Sequence, residues 1–192
     1  DEEIMAALGA EGQHPEGWFF PDTYLFHSGE TDLDVLKRAY NIMTGVLEEE
    51  WQNREQGLPY DSPYEALIMA SIVERETGVA YERQQVAGVF VRRLQKGMRL
   101  QTDPTVIYGI TEGKGVLGRG LRRSELRAET PWNTYVIDGL PPTPIANPGR
   151  ASLMAAAPPA ETHLCLLIAD GTGGPAFGVA LDPDQQNDTG EG

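Results

Sequence analysis

The run from Ser62 to Gly78, SPYEALIMASIVERETG, constrains the fold of this chain more than any other stretch. Ser62 followed by Glu65 forms a capping box, Pro63 suits a first helical turn and Gly78 can close the end, so the spacing predicts one helix with defined boundaries. Its middle is apolar, yet it carries two acids, Glu74 and Glu76. Glu74 lies one turn beyond Ala70 and Ser71 and two turns beyond Leu67, while Glu76 follows Met69, Ile72 and Val73 on the neighbouring stripe. A carboxyl group held against an apolar surface resists ionisation, and the raised pKa expected of it suits a general acid near neutral pH. Glu74 is the first candidate for that role. Pairing of either acid with Arg75, Arg83 or another cation at a helix end also explains the placement, and periodicity leaves both readings open.

The flanking elements follow from the same cues. Gly17 to Phe26 mixes aromatic residues with Pro21 and Asp22 and reads as a strand or extended segment entering a turn at 27–29. Thr31 or Asp32 can cap a long helix on which Leu33, Leu36, Tyr40, Met43, Leu47 and Trp51 recur until Gly57 and Pro59, with Glu48 to Glu50 as a solvated face. A further helix from about Tyr81 to Lys96 places Val86, Val89, Phe90 and Leu94 on one side and ends at Gly97. Its Arg92, Arg93 and Lys96 suit the C-terminal dipole. Asp103 with Pro104 can start a turn or short helix with Val106, Ile107 and Tyr108 on its apolar side.

Polar groups gather near that start. Gln101, Thr102, Asp103 and Thr105 supply amide, hydroxyl and carboxylate functions within five positions, enough to orient a sugar, although Thr102 and Asp103 also suit capping. The glycine-rich GITEGKGVLGRG segment is a loop without the Gly and Lys spacing of a phosphate cradle. From Thr130 to Arg150, Pro, Gly, Asn and aromatic residues predict a rigid irregular wall. There Trp132 and Tyr135 offer flat faces and Asn133 and Asn147 offer donors and acceptors; core packing competes for Trp132, and capping of a helix over 149–157 competes for Asn147. HLCLLIAD reads as a buried strand that GTGG turns toward AFGVA as a hairpin. The expected fold class is therefore α+β, with helices packed on a small, mostly antiparallel sheet.

Five blocks in order carry a resemblance: EGWFFPDTY (16–24), LIMASIVERETGVAYERQQVAGVFVRRL (67–94), GMRLQTDPTVIYG (97–109), TPWNTYVIDGLPPTPIANPGRASLMAA (130–156) and ADGTGG (169–174). Together they resemble the YceG-like endolytic murein transglycosylases, the MltG family. The resemblance implies lytic cleavage of peptidoglycan glycan strands with the glutamate of the IVE segment, Glu74, as the catalytic acid. Glu74 would protonate the glycosidic oxygen between N-acetylmuramic acid and N-acetylglucosamine. As a base it would then take the proton of the muramyl C6 hydroxyl, which closes a 1,6-anhydro ring. Gln101, Thr102, Asp103, Thr105, Asn133, Tyr135 and Asn147 are the expected substrate-binding residues. Glu76 joins them as a group that binds sugar, repels the charge on Glu74 or, first in rank, pairs with an arginine.

The resemblance further implies a partial LysM-like N-terminal lobe in residues 1–30 and a catalytic domain over 31–180. It implies partners in the cell-wall synthesis machinery, and an inner-membrane anchor absent from this chain, with the catalytic part facing the periplasm or outside. The chain departs from the family after the glycine turn, where Pro175, Ala176 and Phe177 stand in place of a histidine and a longer helix; the polar residues 181–192 read as a disordered tail. Two other readings remain open: Asp103 opposite Glu74 could activate water, as in a muramidase-type hydrolase, or the chain could be a non-catalytic glycan-binding module with a structural Glu74.

Composition narrows the partners. With 15 basic and 29 acidic residues and a formal net charge of -14, nucleic acid and anionic membrane surfaces are repelled, whereas uncharged sugar faces are not. Length and a 40% apolar fraction suit one soluble globular core. The lone Cys165 rules out an intramolecular disulfide, and His14, His27 and His163 are too scattered for a local metal-ligand pattern, so no metal or other cofactor is expected.

Overall fold

A computed structural model describes residues 2–161 and 165, together with the backbone of 168–169 and 175–176. The six α-helices among them are α1 (Glu2–Ala7), α2 (Asp32–Gln52), α3 (Pro63–Glu76), α4 (Arg83–Gln95), α5 (Asp103–Thr111) and α6 (Arg150–Ala156). Helix α3 is the spine. Every residue from Ala66 to Val73 is buried, and α2, α4, α5 and α6 all pack against it. A helix apolar on all sides is stable only when surrounded, and each fully buried Leu, Ile or Met here contributes roughly 1.5–3 kcal/mol.

Helix boundaries follow their caps. The Ser62 hydroxyl accepts from Glu65 N at the start of α3, and Thr31 makes a full capping box with Asp34 at the start of α2. Helix α4 follows a short 3-10 turn over Ala80–Glu82, pinned by a buried hydrogen bond from the Thr77 hydroxyl to Glu82. Its buried face comprises Val86, Ala87, Gly88, Val89, Phe90 and Val91 and continues into Arg93. Around the helices runs the irregular segment that the Pro and Gly content of 130–150 predicts. Asn133 is fully buried inside it; its amide nitrogen donates to the carbonyls of Glu125, Leu126 and Ala128, and its oxygen accepts from Tyr135 N. Gly17 meets the wall so closely that a Cβ there would lie 2.6 Å from Pro144, at a φ of +91 that already favours glycine.

The α+β expectation is overturned. Among the described residues helix packs on helix, and strand pairing amounts to a two-residue antiparallel ladder, β1 (Ile168–Ala169) with β2 (Pro175–Ala176). No sheet layer backs the helices among the described residues, and α3 finds its apolar partners in four other helices. Residues 17–26, expected to be a strand or extended segment, form no strand; 17–20 are irregular and packed, with Trp18 between Tyr40 and Tyr64, while Leu25 and Phe26 are exposed. Met5, Ala10 and Trp18 belong to the same hydrophobic core as α2 and α3. Most of the predicted HLCLLIAD strand, and the tail 181–192, lie outside the described residues; Cys165 is buried, as its apolar neighbours suggest.

Candidate functional site

Helix α3 ends with its two acids two positions apart, about 200° around the axis, so they emerge on opposite sides. Glu74 turns toward α6. Its Oε2 accepts from the Ser152 hydroxyl at 2.6 Å and from Gly149 N at 3.1 Å, and Arg83 Nη2 lies 3.6 Å from Oε1. Arg83 Nε also donates to Ser152 Oγ at 3.1 Å, closing a ring of contacts that ties α3, α4 and α6 together. The apolar setting expected for Glu74 is therefore corrected: the preceding residues are apolar, but the carboxylate reaches past them to three polar donors. The ion pair with Arg83 is the arrangement that the spacing left open as the alternative.

Glu76 turns toward the start of α5. The Thr102 hydroxyl donates to its Oε2 at 2.5 Å. Burial pushes the Glu76 carboxyl above its ordinary range, the Thr102 hydrogen bond partly offsets this, the nearby charge of Asp103 pushes the same way as burial, and Arg93 opposes. Thr102 occupies the N-cap position of α5 but makes no side-chain cap; its hydroxyl is given to Glu76. Asp103 and Tyr135 lie on the open side of this cluster, the Tyr135 hydroxyl donating to Asp103 Oδ1 at 2.6 Å. Burial and the Asp103 carboxylate hold the Tyr135 hydroxyl protonated well beyond its ordinary range, so it stays a donor. Gln101 is exposed beside them with φ +52, a left-handed backbone unusual for a residue with a side chain.

The remaining predicted residues are placed differently. Thr105 is fully buried, its hydroxyl donating to Thr102 O and meeting the Thr134 hydroxyl at 2.8 Å. Asn133, buried and fully engaged in holding its loop, has no amide group left to offer a sugar. Asn147 uses its side-chain oxygen to hold Gly17 N at 2.9 Å and Phe19 N at 3.2 Å, and Gly149, not Asn147, is the N-cap of α6. Thus Glu76, Gln101, Thr102, Asp103 and Tyr135 come together, whereas Glu74, Thr105, Asn133 and Asn147 bond to other parts of the fold.

Arg93 underlies the cluster; it lies in the last turn of α4, as the sequence predicts, but its part in holding the neighbouring carbonyls was missed. It is buried, with Nε donating to Cys165 O at 2.6 Å and Nη1 to the carbonyls of Arg99 at 3.1 Å and Leu100 at 2.7 Å. The signal was present: Arg93 follows Val86 by seven, Val89 by four and Phe90 by three, which sets a cation on the apolar stripe. Ser152 was also missed, and its short hydroxyl side chain carries no comparable signal.

Fold and site together define a helical domain organised around one central helix, with a partly buried acid at the mouth of an Asp–Tyr–Gln cluster. The chain belongs to the YceG-like family, whose model matches residues 2–188. It is 37% identical over 170 residues to a Bacillus subtilis protein named endolytic murein transglycosylase, covering 88% of this chain and 46% of that protein. A Streptococcus pneumoniae protein of the same name is 25% identical over 182 residues, covering 92% of this chain and 32% of its own length. The crystal structure of a YceG-like protein from Listeria monocytogenes superposes with a TM-score of 0.76 at 28% identity, over 97% of this chain and 64% of that one. The chain thus spans less than half the length of the two named relatives.

Proposed function

We propose that this chain is the catalytic part of an endolytic murein transglycosylase in which Glu76, rather than Glu74, is the general acid and base. The observation that carries the assignment is the pair of environments at the end of α3. Glu74 is held by Arg83, Ser152 and Gly149, whereas burial and Asp103 favour a proton on Glu76 beside an open polar cluster. A raised carboxyl value is what proton delivery near neutral pH requires. The names and identities of the relatives support the reaction class.

Glu76 gives its proton to the glycosidic oxygen as the bond from C1 of N-acetylmuramic acid to that oxygen breaks. The resulting carboxylate takes the proton of the same residue's C6 hydroxyl, whose oxygen bonds to C1. Glu76 is thereby reprotonated, no water is consumed, and the product ends in a 1,6-anhydro sugar. Thr102 steadies the Oε2 atom of Glu76, leaving Oε1 for the transfer. Tyr135, Asp103 and Gln101 line the approach and offer the sugar donors and acceptors. Peptidoglycan lies outside the cytoplasmic membrane, so that is where the proposed enzyme works. No described helix is long and apolar enough to cross a membrane, and attachment through an anchor outside residues 1–192 is part of the proposal.

A second reading is favoured by one electrostatic interaction. Asp103 is close enough to raise Glu76, and such a carboxylate pair could direct water to the anomeric carbon, as in a muramidase-type hydrolase. Mass spectrometry of glycan strands digested by the chain separates the two. Anhydro ends are the expected product; hydrated reducing ends throughout would replace the lyase reading with the hydrolase.

A further inference from the structure

We propose that Gln101 selects N-acetylated sugar by donating its side-chain NH2 to an acetamido carbonyl oxygen, with Arg93 fixing the orientation of the amide. This rests on the reading of the chain as an enzyme acting on glycan, and it assigns that site a specificity residue.

Three features carry it. Arg93 Nη1 lies 3.3 Å from Gln101 Oε1, a third acceptor that shares the two N–H groups also aimed at the Arg99 and Leu100 carbonyls; a guanidinium can only donate, so the contact turns the carbonyl end of the amide inward and the NH2 end outward. Arg93 cannot swing away, because it is buried and committed to the carbonyls of Cys165, Arg99 and Leu100. The backbone of Gln101 is held at φ +52 with its N–H on Thr134 O at 3.1 Å, a conformation that glycine would adopt more easily. A long side chain kept at such a position, exposed and adjacent to the Thr102 that holds Glu76, does work that the fold itself does not require. An acetamido carbonyl is an acceptor only, and it complements a group whose outward face only donates.

The test measures binding, so that turnover does not blur it. A Glu76→Gln chain is titrated with N-acetylated glycan strands and with the same strands after N-deacetylation, alone and with Gln101→Gly or Gln101→Glu added. The acetylated strands should bind about tenfold more tightly to the Glu76→Gln chain, the scale of one well-placed hydrogen bond lost with its partner left exposed. Both added changes should remove that preference. Gln101→Gly should melt close to its parent because glycine suits the backbone, while Gln101→Glu keeps an acceptor for Arg93 but presents oxygen in place of NH2. A preference that survives both substitutions overturns the assignment to Gln101 while leaving the enzyme reading intact. If the folded Glu76→Gln chain binds neither strand, the substrate reading fails and takes the assignment with it.

Discussion

At Glu76 the native fold holds a proton more tightly than the unfolded chain does, chiefly through burial, and this ties stability to pH. The folded value lies above the ordinary 4.5, so as pH rises through the window above 4.5 the native state binds more protons than the unfolded state. Stability contributed by this group is therefore present at low pH and lost as pH rises through the folded value. Burial raises Glu16 and Glu50 as well, in the same direction, so the parent chain alone does not isolate the effect. Urea unfolding of the parent and of Glu76→Gln at a series of pH values does: the stability of the variant relative to the parent should grow from pH 4.5 toward 7. Parallel curves would mean that Glu76 titrates alike in both states. The sequence marks both acids of α3 and puts Glu74 first, whereas the contacts favour Glu76. Their apolar spacings are alike, and what separates them is 26 residues away at Thr102 and 78 residues away at Ser152.

Between elements, two contacts hold the cluster in register. Arg93 joins α4 to the carbonyls before α5 and to Cys165, so Arg93→Met leaves several buried acceptors without donors and should cost about 2–4 kcal/mol in chemical denaturation. Gly17→Ala meets Pro144 and an unfavourable φ at once; a loss of about 2 kcal/mol or more is expected, read as a lowered Tm. A Gly17→Ala chain as stable as the parent would mean that the 17–19 segment is free to move off the wall. The helices were legible because their signals are local: Ser62 with Glu65 and Pro63 for α3, Thr31 for α2, and the stripe from Val86 to Leu94 for α4. The expected sheet was not a local matter. A short apolar run such as HLCLLIAD reads as a strand by composition, but whether it joins a layer depends on what α3 packs against, and α3 is enclosed by helices. Asn133 and Asn147 bond within the fold for a related reason, since an amide suited to a sugar is equally suited to a loop carbonyl or a backbone N–H.

Among the described residues of the whole molecule, one core runs from Met5 in α1 through α2, α3 and α4 to Ala156 in α6, and the central helix delivers its last acid to the edge of that core. Enclosure of α3 makes Glu76 hard to ionise, and its edge position is what the proposed role in catalysis rests on. The membership of the chain in the YceG-like family fits this architecture, while its span of 46% of the Bacillus relative leaves the contribution of further segments to be measured on longer chains. The central claim is that the working acid is Glu76 and the fastening acid is Glu74. The most direct measurement is the rate at which purified glycan strands are cleaved by the parent, Glu76→Gln and Glu74→Gln chains, with folding checked by melting. Loss of at least about a hundredfold in Glu76→Gln, with Glu74→Gln retaining cleavage within about tenfold, is the predicted result. Cleavage that survives Glu76→Gln but vanishes in a folded Glu74→Gln chain would contradict it.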